Sequence, residues 1–253
     1  MPTDRRGALR AGAATALAGA LAAACDTEPR PEPRRQRPAP AAPVAPPAPR
    51  RWPGRPVEIA NGPRDRPRVA LTFHGQGEPA TARAILDHAE RAGAHVTVLA
   101  VGEWLDRHPD MARRILDGGH DLGNHTQRHL DITAMTEAEA HAEIAGCARR
   151  LRRLTGSIGT WFRPSRTQHA TETVRRAARR AGYPHVLSYD VDSFDFTSPG
   201  PEAVVANVAG RIRDGSVVSL HFGYPDTVAA LPLLLADLDR RGLSAVTTTE
   251  LLT

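Results

Sequence analysis

The chain has 253 residues, 41% hydrophobic and only 4% aromatic, with 33 Lys and Arg against 28 Asp and Glu for a formal net charge of +5. That length allows one medium domain, and the two cysteines, Cys25 and Cys147, exclude a disulfide framework. Basic charge can signal a nucleic-acid partner. No zinc finger or interleaved basic and aromatic motif is present, so anionic lipid or envelope polymer is the better expectation.

Residues 1–25 read as an export signal. Arg5, Arg6 and Arg10 form a basic start, an alanine-rich apolar run follows, and Ala22 to Ala24 precede Cys25. Paired Arg5 and Arg6 resemble a twin-arginine signal, and LAAAC at 21–25 resembles a lipobox. That resemblance implies a lipidated Cys25 anchored in a membrane, or, failing lipidation, a cleaved signal and a secreted protein. Residues 26–66 are rich in proline, arginine and alanine and poor in large apolar side chains, which predicts a disordered linker. As polyproline II it would reach on the order of 100 Å.

Residues 67–253 form the predicted folded domain, where apolar strands alternate with amphipathic helices as in an α/β fold on a parallel sheet. Val69–Phe73 is the first strand, Pro79–Ala92 a helix closed by Gly93, and Ala94–Val101 a second strand. Further helices are predicted over 107–117, 136–154, 171–181, 202–213 and 227–241. Strands are predicted near 160–162, 185–189, 216–221 and 243–246. Thr136 and Glu139 have the spacing of a capping box, which starts the long helix. Cys147 lies in that helix's apolar rhythm and reads as a buried small hydrophobe.

Residues 119–129, GHDLGNHTQRH, carry the strongest chemical signal. His125 and His129 stand four apart, a spacing that puts both imidazoles on one side of a helical turn and suits zinc and its first-row neighbours. Gly118, Gly119 and Gly123 permit unusual backbone, and Asn124 and Thr126 offer polar groups to orient the rings. Two histidines leave an ion under-coordinated, so another ligand must come from elsewhere.

Four more motifs follow the strand ends: LTFHGQGEP at 71–79, WFRPSR at 161–166, YDVDSFDF at 189–196 and VVSLH at 217–221. Their order and spacing resemble the NodB-type polysaccharide deacetylases, carbohydrate esterase family 4, over about residues 66–253. The resemblance implies a distorted β/α barrel of about seven parallel strands, holding a divalent metal, zinc first and cobalt second, and removing N- or O-acetyl groups from a glycan. It makes His125 and His129 metal ligands, Arg163 the residue that orients the base, Asp195 the support of the general acid, and His221 that acid. Amide hydrolysis needs a nucleophile, a Lewis acid and a proton donor, and this set supplies all three.

The first motif departs from the family. Its two consecutive aspartates, base and metal ligand, align with His74 and Gly75. In one reading His74 completes a three-histidine site whose neutral ligands favour bound hydroxide and lessen the need for a separate base, and Arg163, by disfavouring protonated His74, keeps it competent to bind metal. Glu78 is a substitute base in that reading, or simply a first-turn helix residue. In the other, the barrel is a non-catalytic glycan-binding lipoprotein. A metal-dependent amidohydrolase of small molecules is a third option. Trp104 and Trp161 are read as packing residues before sugar platforms. The expected partner is an acetylated envelope glycan containing N-acetylhexosamine, peptidoglycan above all.

Overall fold

A computed structural model describes residues 48–253. The export signal, Cys25 and the linker up to residue 47 lie outside the described residues. In chain order the elements are β1 (Glu58–Ile59), β2 (Arg68–Gly75), α1 (Pro79–Arg91), β3 (Thr97–Ala100), α2 (Gly102–Arg107), α3 (Asp110–Asp117) and β4 (Asp121–Asn124). They continue with α4 (Glu137–Thr155), α5 (Glu172–Arg180), β5 (Val186–Leu187), β6 (Val191–Asp192), α6 (Pro201–Ala209), β7 (Val217–His221), α7 (Pro225–Arg240), β8 (Ser244–Ala245) and α8 (Thr248–Leu252).

The main sheet runs β4-β3-β2-β7-β6, with β8 beside the start of β2, and β1 pairs separately with β5. Every named strand pair is parallel. Residues 160–163 bridge the gap beyond β4. Asn124 N donates to Trp161 O at 2.7 Å, and Leu187 N donates to Phe162 O at 2.8 Å. The expected strand at 160–162 is thus only an isolated bridge between Asn124 and Phe162. It continues the ring of hydrogen bonds, which is the expected distorted β/α barrel.

β2 is apolar almost throughout because helices and barrel interior cover both its faces. Leu71, Phe73, Ile85, Leu86, Leu220 and Phe222 are fully buried within one core. Burial of each such side chain contributes about 1.5–3 kcal/mol. Thr136 and Glu139 form the predicted capping box, and α4 ends on Gly156 at φ 80.

Three expectations change. The helix expected over 107–117 is α3, which starts only at Asp110 after Pro109, and a further short helix, α2, precedes it. β4, with Leu122 its only large apolar residue, has no strand-like pattern and was not expected. Residues 52–66, assigned by composition to the linker, pack onto the domain. Trp52 stacks on Trp161 at 6.4 Å between ring centroids. The Trp52 backbone N–H donates to His185 Nε2 at 3.0 Å, while Arg64 pairs with Asp190 at 2.7 Å.

Candidate active site

Parallel strands deliver their C-terminal ends to one side of the sheet, and the motif residues gather there. His74 and His221 stand opposite each other in the β2–β7 register. β4 ends at Asn124, directly before His125. The helical turn expected for the two histidines is not formed: residues 125–131 are a loop, and His129 has left-handed backbone at φ 58. Asn124 shapes that loop, its Oδ1 accepting from Thr126 N at 2.9 Å and its Nδ2 donating to Ile144 O and Tyr183 Oη. Thr126 Oγ1 then accepts from His129 N at 3.2 Å. Gly123 is required by space: a Cβ there would lie 2.6 Å from Trp161 O.

The four histidines form a continuous cluster. Ring centroids are 4.3 Å apart for His74 and His125, 4.3 Å for His74 and His221, and 4.8 Å for His125 and His129. Burial is the main reason that His74 and His125 are held well below the usual imidazole pKa, and neighbouring histidines add to it. Burial also takes His129 down to about 4, with the Arg166 charge next in weight. These three rings are therefore neutral at physiological pH, the state in which imidazole binds metal.

His125 carries the clearest metal signal. Its Nδ1–H donates to Arg163 O at 3.0 Å, which fixes the tautomer and leaves Nε2 as the lone-pair nitrogen. That Nε2 is buried without a hydrogen-bond partner, a costly state unless something else takes the lone pair. His125 and His129 thus fit a divalent ion. His74 does not fit as it stands: its Nε2 accepts from Arg163 Nη1 at 3.2 Å, and a neutral imidazole has one lone pair. Among the described residues no group of three His, Cys, Asp or Glu side chains is arranged to hold an ion.

Arg163 is fully buried. It donates through Nε to Leu187 O at 3.2 Å and through Nη2 to Ser188 O at 3.0 Å, and it sits 5.3 Å from the centre of the Tyr189 ring. Desolvation lowers its pKa to about 10, so it keeps its charge at neutral pH. The sequence names Arg163 but not what it meets, since its partner at position 74 is 89 residues away.

Asp195 and His221 are joined twice. His221 Nδ1–H donates to Asp195 Oδ1 at 2.7 Å, and His221 N–H donates to Oδ2 at 2.8 Å. Thr227 Oγ1 donates to the same Oδ2 at 2.6 Å. Asp195 is fully buried, and these three donors satisfy both of its oxygens. His221 Nε2 is left as the nitrogen that can exchange a proton. Thr227 was not anticipated; a threonine in the first turn of α7 carries no sequence signal of this role.

The remaining candidates have ordinary places. Glu78 is exposed before α1 and, among the described residues, makes no hydrogen bond to the cluster. Cys147 Sγ donates to Ala100 O at 3.4 Å, and burial pushes its thiol up to about 12, so it is no nucleophile. Trp104 and Trp161 are buried packing residues. Phe196 stands half exposed at the mouth, 5.5 Å from His221 ring to ring.

The sequence model of the polysaccharide deacetylase family matches residues 61–186. The chain is 30% identical over 194 residues to a peptidoglycan-N-acetylglucosamine deacetylase of Bacillus cereus, an alignment covering 75% of this chain and 90% of that protein. It is 29% identical over 197 residues to a chitooligosaccharide deacetylase of a Bradyrhizobium species, covering 69% and 85%. In fold it resembles a carbohydrate esterase family 4 pseudoenzyme from Bacillus anthracis, with TM-score 0.74, 23% identity, and coverage of 79% and 70%.

Proposed function

This chain belongs to the polysaccharide deacetylase family, whose enzymes act on carbon–nitrogen bonds other than peptide bonds, and we propose that it removes acetyl groups from an N-acetylhexosamine polymer of the cell envelope, with peptidoglycan the leading substrate. The observation that carries this reading is the buried Asp195 bonded at 2.7 Å to His221, beside a cluster of neutral histidines. A carboxylate that accepts Nδ1–H stabilises the imidazolium, so His221 can hold a proton at Nε2 and release it to the departing nitrogen. Thr227 and the His221 amide keep Asp195 turned toward the ring.

A divalent ion, zinc first and cobalt second, would be held by His125 and His129, and when bound it supplies a Lewis acid and a water of lowered pKa. Arg163 carries the fixed positive charge of the site; burial, more than this neighbouring charge, keeps His74 neutral. His74 would join the ion as third ligand only by giving up that hydrogen bond. N-linked acetyl is preferred over O-linked because an amine leaving group needs the proton that His221 supplies.

One observation favours the non-catalytic alternative. At Gly75, where the family's metal-binding aspartate aligns, a Cβ would lie 2.9 Å from Val98 Cγ1 and 3.0 Å from Ala100 Cα. The sheet leaves no room for that carboxylate. The deciding experiment measures zinc content and acetate release from N-acetylglucosamine oligomers and peptidoglycan, for the wild type and for His125→Ala, His221→Ala and His74→Ala. Bound zinc and acetate release in the wild type, with zinc lost in His125→Ala and release lost in His221→Ala, supports the enzyme. A metal-free wild type that releases no acetate refutes it.

Export through the Arg5–Arg6 signal and anchoring at a lipidated Cys25 complete the proposal, on the strength of residues 1–25. Among the described residues no helix is long and apolar enough to cross a membrane. Mild detergent extraction of the protein, abolished by Cys25→Ala, is the expected behaviour; an unchanged distribution in that variant refutes the anchor.

A further inference from the structure

Five non-glycine residues among those described have left-handed backbone: Thr126, His129, Arg166, Phe194 and Ser198. All lie in the loops that carry the site motifs, and each costs on the order of 1 kcal/mol relative to a relaxed backbone. Thr126 and His129 shape the histidine loop. Arg166, at φ 58, is held in the same strained backbone. Its Nε donates to His129 O at 3.1 Å, and the preceding Ser165 Oγ donates to Leu130 O at 2.5 Å. Two consecutive residues thus clamp two consecutive carbonyls of the histidine loop.

The clamp uses only Nε of the guanidinium. Among the described residues its terminal nitrogens have no hydrogen-bond or ion-pair partner, and the side chain is exposed. Asp131 lies near enough to feel the charge, but its Oδ1 is taken by Thr133, accepting from N at 3.0 Å and from Oγ1 at 2.6 Å. Leu130, 39% exposed, gives this rim an apolar surface next to the cation.

An arginine fixed by one nitrogen beside His129, with no ion pair to a protein acid among the described residues, is arranged to receive an anion from outside. One fork matches one carboxylate in bidentate geometry, whereas a phosphate dianion calls for several donors. Resting on the glycan reading above, we propose that Arg166 is a specificity-determining residue that binds a carboxylate on the sugar adjacent to the one that loses its acetyl group, so that the substrate is an acidic glycan.

The test compares three tetrasaccharides by titration calorimetry with the full chain: neutral chitotetraose, an alternating N-acetylglucosamine and N-acetylmuramic acid tetramer with free lactyl carboxylates, and an alternating N-acetylglucosamine and glucuronic acid tetramer. At least one acidic tetramer is expected to bind about tenfold more tightly than chitotetraose at low salt, the gain of one charge-assisted fork. Which of the two does so identifies the carboxylate's source. Raising ionic strength should shrink the preference. Arg166→Gln should abolish it, while Arg166→Lys, which keeps the charge but not the Nε clamp, should retain part of it.

Equal affinity for all three glycans, no binding of any, or a preference that survives in Arg166→Gln overturns the proposal. Binding is read without turnover, so a glycan that binds through Arg166 yet releases no acetate would refute the deacetylase reading alone.

Discussion

Acidification is expected to destabilise this domain steeply, through its own site histidines. His74 and His125 are buried and held well below 6.5, chiefly by desolvation. As pH falls through 6.5 the unfolded chain takes up protons at both rings and the folded chain does not, so the unfolded state gains stability. Between pH 7.5 and 5.5 each ring costs about 1.4 kcal/mol, and the two together about 3 kcal/mol. His129 and His120 are lowered as well and act in the same direction, whereas buried Asp121, whose pKa is raised, opposes them as the pH falls toward its own range. Urea unfolding at the two pH values, in chelator, measures the difference directly. Thermal unfolding should shift downward by roughly 6–12 °C, at 2–4 °C per kcal/mol. His74→Asn should remove about half of the calculated slope. A loss of stability below about 1 kcal/mol over this interval would refute the claim that the rings are neutral because they are buried.

Other substitutions probe the rest of the site. Asp195→Ala is expected to cost about 3–5 kcal/mol, since Thr227 and the His221 amide lose a buried charged acceptor, and to abolish acetate release; denaturant titration and an acetate assay check the two effects. Gly123→Ala forces a methyl to 2.6 Å from Trp161 O and 2.7 Å from Leu99 Cδ1, so a loss of about 1–3 kcal/mol and weaker zinc binding at the adjoining His125 should follow in calorimetry. Trp52→Ala removes the ring stacked on Trp161 and is expected to lower stability by about 2 kcal/mol. An unchanged melting temperature in that variant would return residues 52–66 to the linker.

The main elements were legible because their signals are local. β2 and β7 are apolar runs, α1 opens on proline, and α4 is announced by Thr136 and Glu139. β4 was illegible for the opposite reason: Asp121 to Asn124 becomes a strand through β3 and the Trp161 carbonyl, which no window around it contains. The same holds for residues 58 and 59, whose strand exists only against β5, distant in sequence.

The candidate site divides in the same way. The order and spacing of the motifs are properties of the chain, and they determined the family, the residues worth attention and the absence of a carboxylate at positions 74 and 75. Only the tertiary structure decided what each of those residues meets. It turned the histidine pair from a helical turn into a loop, committed His74 Nε2 to Arg163, and set Thr227 beneath Asp195. Ligand competence depends on which lone pair is free, and that depends on hydrogen bonds between residues tens of positions apart. Local sequence specifies which groups are available; folding chooses their partners.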